Sequence, residues 1–432
     1  MVRKPLVFWF ILLLAWARAA PAQQGAGEEA GEEIRAIIEQ QQIALVDLFR
    51  LADLTNPTLA LVRGGVRAHA GRTRQAALHP NPTLEFEVED ISPDDPDDRT
   101  EKVALVQDLI LSGRREAAVA AARAEEEAAA HEFDQARRDL HVQIHTLWAG
   151  QLYFREAEAA FAELLRDANH TLEIARTRFE ARAAPEAQVT KALLEVYELE
   201  VARQRLVQQR AGGGAELSAL FGGIRVPFDR LAGTLESADT PPDENLLTAG
   251  AEHHPAWQAA RRGIAAAEAS LREARAARIP DLELFVAYGR SRASDEGFVE
   301  AGMGMPLPIF DRNQGRVAET RATVAQARAR ARIVQGDLEV ALAVARQSYL
   351  TTRDQLNASA NLILPAAERG LIQAREGYRA GNLPILELVD AQRTLATVRL
   401  RTLELRKDLI VSGAELASLV RTDPGEERGK DQ

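Results

Sequence analysis

From Thr83 to Asp90 apolar and acidic residues alternate, with Leu84, Phe86 and Val88 on one side and Glu85, Glu87 and Glu89 on the other. A period of two predicts a strand over 83–90. A polar loop, Ile91 to Asp98, leads to a second strand over 102–111, and the pattern returns at 281–288 and 298–307. Each strand is close to the ~9–11 residues that cross a tilted bilayer path, so the four form two candidate membrane hairpins. The rest reads as helix. One helix spans about 58–77, with a twin at 256–277, and proline ends both at Pro80 and Pro280. Between Gly113 and Arg182 there is no proline, and Gly150 is the one glycine after the opening turn. That tract predicts a single helix over 113–180, roughly 100 Å long at 1.5 Å per residue. Its twin over 316–379 carries Gly336, Pro365 and Gly370, which predict a bend or local break. Short turns then lead into return helices over 186–221 and 385–420. Val189, Leu193 and Val196 in one, and Leu388, Gln392 and Leu395 in the other, mark a narrow seam for an antiparallel neighbour.

The chain is one unit written twice. Pro82-Thr83-Leu84-Glu85 recurs as Pro280-Asp281-Leu282-Glu283, and Asn56-Pro57 as His254-Pro255, both 198 residues later. Gly214-Ala215-Glu216-Leu217 recurs as Gly413-Ala414-Glu415-Leu416, 199 residues later. The halves run over about 44–222 and 246–421, joined by a linker at 223–245 that holds a small strand or helix. A charged tail at 422–432 reads as disordered.

Residues 1–22 form a secretory signal peptide: Arg3 and Lys4, then 13 mostly apolar residues from Pro5 to Ala17, then small residues for cleavage after Ala19 or Ala22. An uncleaved N-terminal anchor is the competing reading. Removing the segment takes the formal charge from −11 to −14. An acidic chain argues against a nucleic-acid partner. With no cysteine, thiolate metal sites, disulfides, a cysteine nucleophile and a lipid anchor on cysteine are all excluded. No later segment reaches the length of a spanning helix, so membrane entry requires a closed barrel.

The signal peptide, the doubled order of helix, two strands, long helix and return helix, and the turns Asn56-Pro57 and Gly381-Asn382-Leu383-Pro384 together resemble the TolC family of outer-membrane efflux proteins. The run Pro306-Leu307-Pro308-Ile309-Phe310-Asp311-Arg312-Asn313-Gln314-Gly315 is similar to the strand-to-helix junction of its CzcC-like, heavy-metal branch; Leu111-Ser112-Gly113-Arg114-Arg115 is a less distinctive counterpart. The resemblance implies a mainly α fold with a small transmembrane β part. Three copies would form a periplasmic α-barrel under a twelve-stranded β-barrel in the Gram-negative outer membrane. Trimerisation also has a physical motive, since four strands from one chain leave two unpaired edges in lipid. Implied partners are a periplasmic adaptor protein and an inner-membrane pump of the resistance-nodulation-division type. They would dock at the tips Arg182, Ala183, Ala184, Pro185 and Gly381, Asn382, Leu383, Pro384.

Glu387 and Asp390 lie three apart at the start of the last helix, on one face. They match acidic positions that ring the periplasmic aperture in the family; the alternative role is stabilisation of the helix N-terminus. The first-half equivalents, Gln188 and Lys191, are not acidic. Glu85, Glu87, Glu89 and the counterpart Glu283 are expected to face a wet barrel lumen. Asp94, Asp95, Asp97 and Asp98 lack a calcium-loop spacing and read as a solvated loop. His141 and His145 are one turn apart but have no evident third ligand, so packing is favoured over metal. His253 and His254 are read as helix-start residues, and Gly212-Gly213-Gly214 as a helix break rather than a phosphate loop. No cofactor or resident metal is expected, and no catalytic residues. The function so read is a passive exit duct, with divalent heavy-metal cations as cargo. Organic compounds or a secreted protein are alternative cargoes, and a soluble periplasmic coiled-coil scaffold is the alternative class.

Overall fold

The computed structural model describes residues 22–90, 99–236, 251–292, 294 and 296–420. The expected signal peptide (bar Ala22), the four-aspartate loop, the tail 422–432 and the linker's 237–245 lie outside the described residues. The helices are α1 (Ala22–Glu39), α2 (Leu45–Thr55), α3 (Pro57–Ala76), α4 (Arg114–Glu180), α5 (Glu186–Leu220), α6 (Pro255–Ala276), α7 (Gln314–Ala358), α8 (Leu364–Arg379) and α9 (Ile385–Val420). The strands are β1 (Thr83–Glu89), β2 (Thr100–Leu109), β3 (Leu282–Ser291) and β4 (Gly297–Gly304).

The two halves begin alike. Asn56 caps α3 by accepting from the Leu59 amide at 3.0 Å, and His254 caps α6 by accepting from the Ala256 amide at 3.3 Å. A proline follows each cap at the first helical position, where a missing N–H costs nothing. α4 then runs unbroken for 67 residues. Its counterpart does break, but at one place only. A π turn, Ser359–Ile363, separates α7 from α8 just before Pro365, and the Leu364 amide reaches back to the Ser359 carbonyl. Pro365 has no N–H to donate and its ring crowds the preceding turn, so a wider turn there relieves both problems. Gly336 and Gly370, which keep their N–H groups, sit inside continuous helix.

The expected break at Gly212-Gly213-Gly214 is a correction: α5 passes straight through all three. A Cβ on Gly214 would lie 2.9 Å from Phe228 Cε2, and one on Gly213 would lie 3.0 Å from Gln151 Nε2. Gly214 and Gly213 let the 3-10 turn Phe228–Arg230 and α4 approach closely, and the run does not end the helix. α1 was not expected at all.

The β-sheet is antiparallel in the order β1-β2-β3-β4. Beneath it α3, α4, α6 and α7 pack side by side in the same order, and towards the other end α5, α4, α9 and the α7–α8 pair do so. Three apolar clusters are strung along this axis. One lies near the tips among α4, α5, α8 and α9, and another joins α7 to α9. The third, at mid-length, gathers α2, α4 and the linker. There Ile43 pairs with Leu231 in a parallel bridge, and Phe221 and Leu235 are fully buried. The linker therefore serves as core for the middle of the protein.

Candidate functional site

The register divides the sheet into two chemically opposed faces. On one, Leu84, Phe86, Val88, Val103, Leu105, Val286, Tyr288, Val299 and Met303 share parity across the four strands. They are exposed although apolar: Phe86 74%, Val299 72%, Met303 75%. Such a contiguous band demands an apolar covering. At the loop end it closes with polar groups, Glu101 held by Arg99 at 3.1 Å and by Arg292 at 3.0 Å.

The opposite face carries Glu85, Glu87, Glu89 and Glu283, brought together as the alternation implied. It also carries three residues that sequence reasoning passed over: Lys102, Asp108 and Glu300. Lys102 Nζ lies 2.6 Å from Glu89 Oε2 and 3.7 Å from Glu300 Oε2. Parity within β2 could have found Lys102 and Asp108. Glu300 sits among glycine and alanine in β4, where alternation is faint. In the described residues β1 and β4 are paired on one side only.

Where strands pass into helices, Gly113 (φ +66°) precedes α4 and Asn313 (φ +56°) precedes α7, both left-handed. The two halves thus share one corner geometry with different residues. Arg114 grips Asp281, at the base of the second strand pair, at 2.7 Å, and Asn313 Nδ2 donates to the Ala274 carbonyl of α6 at 2.7 Å.

At the far end both tips have the same hydrogen-bond pattern. The Ala183 amide donates to Arg178 O at 2.7 Å, and the Asn382 amide to Gly377 O at 2.9 Å, each closing a left-handed residue, Arg182 (φ +56°) or Gly381 (φ +76°). Pro185 and Pro384 then open the return helices. Ala183, Asn382 and Leu383 are exposed and Ala184 half-buried. The tips are locked together by Tyr378, which sequence reasoning did not single out. Its ring is buried beneath the Arg178 guanidinium at 4.9 Å, and its hydroxyl donates to Gln188 Oε1 at 3.3 Å.

Glu387 and Asp390 lie one turn apart on α9, both exposed, just beyond the second tip. The next turn brings Arg393, also unforeseen, which bonds the buried Glu195 and, at 2.8 Å, Glu198 on α5. The Glu195 hydrogen bond first of all, with the nearby carboxylates, raises the Arg393 guanidinium above its ordinary range. Arg393 is thereby committed to α5, and the pair remains a local concentration of negative charge. This acidic pair and the acidic sheet face stand at opposite ends of the helical layer and form two sites.

His141 spends its ring on packing and one polar contact. It stacks on Phe49 with centroids 4.4 Å apart and sets Nε2 3.0 Å from Asp53 Oδ1. Burial alone would raise the Asp53 carboxyl, but bonds from His141 and Arg137 outweigh it and hold it below its ordinary value. His145 is pushed down to about 4 by burial. His254 is pushed down to about 4 by burial and the Arg138 charge, consistent with a neutral ring accepting at the α6 cap. Among the described residues no group of three or more His, Asp or Glu side chains could hold a metal ion.

The sequence pattern of the outer membrane efflux protein family matches residues 49–223 and again 246–420. The chain is 26% identical over 353 residues to the cobalt-zinc-cadmium resistance protein CzcC of Cupriavidus metallidurans, covering 82% of this chain and 84% of that one. Its fold is similar to that of CusC (TM-score 0.74, 19% identity, 89% of this chain and 94% of that one). It is also similar to the CmeC outer membrane channel of Campylobacter jejuni (TM-score 0.70, 14% identity, 98% and 95%). The duplicated halves, the two-faced sheet and the long helices beneath it thus have one explanation: the chain belongs to the outer membrane efflux protein (TolC) family and is an outer-membrane efflux channel, not an enzyme.

Proposed function

We propose that three copies of this chain form the exit duct of a tripartite efflux pump, carrying divalent heavy-metal cations from a periplasmic adaptor and inner-membrane pump to the outside. The observation that carries this reading is the sheet: an exposed apolar face, an acidic face, and two edges left unpaired among the described residues. Lipid covers the first, water fills the second, and twelve strands closed by symmetry remove the third. The helical layer supports the same closure, since exposed Leu194, Tyr197 and Val201 on α5 and Val340, Val344 and Leu362 on the α7 side lie at its two open margins. A head-to-tail contact between such margins closes into a ring. The N-terminal signal peptide delivers the chain across the inner membrane. The tips at Arg182–Pro185 and Gly381–Pro384 meet the adaptor, and a pump of the resistance-nodulation-division type supplies the energy.

Cations as cargo rest on the similarity to CzcC, a cobalt-zinc-cadmium resistance protein, and on Glu85, Glu87, Glu89 and Glu283 along the wall. Glu387 and Asp390 form the periplasmic constriction, where three close carboxylate pairs repel one another and attract cations. Deletion of the gene is expected to lower tolerance to cobalt, zinc or cadmium; lost tolerance to organic toxicants alone would overturn the metal assignment. Recovery of the protein in the soluble periplasmic fraction would overturn the channel. Glu387→Ala with Asp390→Ala should raise the conductance of the purified trimer in planar bilayers and weaken block by multivalent cations. Unchanged recordings would remove the aperture from these residues.

A further inference from the structure

Lys102 is the one cation on the acidic face of the sheet among the described residues. Its side chain is 16% exposed, whereas those of its partners Glu89 and Glu300 are 41% and 48% exposed. The arrangement is built across three strands. Lys102 stands opposite Glu87 on β1 and opposite Gly289 on β3. The Phe298 ring on β4 lies over Gly289, where a Cβ would stand 2.3 Å from Phe298 Cζ, so the lack of a side chain at 289 makes room for that ring. The ammonium bonds Glu89 on β1 and reaches across β3 towards Glu300 on β4.

A conduit must attract its ions and still release them. With the ammonium gone, the exposed Glu89 and Glu300 side chains would swing inward to close on a divalent ion, and an ion so held would obstruct the path. We propose that Lys102 sets the cation selectivity of this wall: its ammonium fills, from within the chain, the seat between Glu89 and Glu300 that a divalent cation would otherwise bridge. The inference rests on the reading of the acidic face as the lumen and of divalent cations as cargo.

The absence of cysteine supplies a clean test. Purified trimer is recorded in planar bilayers while Co2+ is added. Lys102→Cys is expected to lower the half-blocking Co2+ concentration about tenfold or more, since it leaves carboxylates without their counter-charge. Treating that variant with a thiol-specific ethylammonium reagent should restore the wild-type value, and a neutral methyl reagent should not. Adding Glu300→Gln to Lys102→Cys should also undo the sensitivity. Half-block unchanged in Lys102→Cys, or restored equally by the neutral reagent, would overturn the proposal. If Lys102→Cys does not assemble, Glu89→Gln with Glu300→Gln in the Lys102 background should leave half-block unchanged, and a clear rise would overturn it. Wild-type protein that conducts no current would instead sink the channel reading, and metal tolerance of the deletion strain judges the cargo separately.

Discussion

Gly212, Gly213 and Gly214 should answer the same substitution in three different ways. Replacing a glycine inside a helix by alanine ordinarily stabilises by about 0.8–1 kcal/mol, through lower backbone entropy in the unfolded chain. Gly212 is exposed and a Cβ there meets nothing within 4 Å, so Gly212→Ala should realise the full gain. At Gly213 the new methyl would press on Gln151 Nε2 at 3.0 Å. That amide donates to the Arg210 carbonyl at 3.2 Å, and displacing it costs about 0.5–1.5 kcal/mol, leaving Gly213→Ala near neutral. Gly214 is buried, and its Cβ would stand 2.9 and 3.0 Å from two carbons of the Phe228 ring. Overpacking of this kind costs about 1–3 kcal/mol, which exceeds the helical gain, so Gly214→Ala should destabilise by up to about 2 kcal/mol. Thermal unfolding followed by helical circular dichroism, at one protein concentration in one detergent, reads the order because assembly then contributes equally. In a Phe228→Ala background the collision is gone and Gly214→Ala should become stabilising. If Gly214→Ala raises the midpoint as much as Gly212→Ala, the close-approach explanation of the glycine run is wrong.

Three further outcomes follow from single contacts. Asp53 has a folded pKa below its unfolded value, so its bonds to His141 and Arg137 stabilise above about pH 4 and are lost as pH falls through the folded value; Asp53→Asn should cost about 1.5–3 kcal/mol at pH 7. That gap should narrow on acidification, and a constant gap down to pH 2 would contradict the assignment. Pro365→Ala supplies the missing N–H and should convert Ser359–Ile363 to regular α-helix, visible in a structure of the variant; a retained π turn would assign it instead to the 2.8 Å Ser359–Thr402 contact. Arg182→Gly removes a left-handed non-glycine residue and should stabilise the first tip by roughly 0.5–1 kcal/mol, read as slower hydrogen exchange at Ala183.

What the sequence makes legible is whatever depends on neighbours in the chain. Proline and glycine punctuation delimits α4 and α9, and alternation assigns Glu85, Glu87 and Glu89 to one face, because helix caps and strand parity are local. What it hides is set by distant partners. Gly214 is glycine because Phe228 lies against it, a contact the local sequence does not show, and three glycines read locally are a break. Tyr378 looks like any aromatic until α4 brings Arg178 over its ring, and Arg393 like any surface arginine until α5 presents Glu195. α1 combines three glycines with few apolar residues, so periodicity is faint; it holds on through contacts such as buried Ile37.

The duplication also explains where the halves had to diverge. A ring of identical repeats would give both hairpins the same stiffness and the same charge. Here the first helical hairpin, α4 with α5, has an unbroken 67-residue helix and carries Gln188 and Lys191, whereas the second, α7–α8 with α9, has a π turn and carries Glu387 and Asp390. Gln188 accepts the Tyr378 hydroxyl, and Glu195 and Glu198 accept Arg393, so the first hairpin's polar groups serve to hold the second. The two repeats therefore differ locally: the first supplies acceptors at Gln188, Glu195 and Glu198, and the second, with its π turn at Ser359–Ile363, carries Glu387 and Asp390.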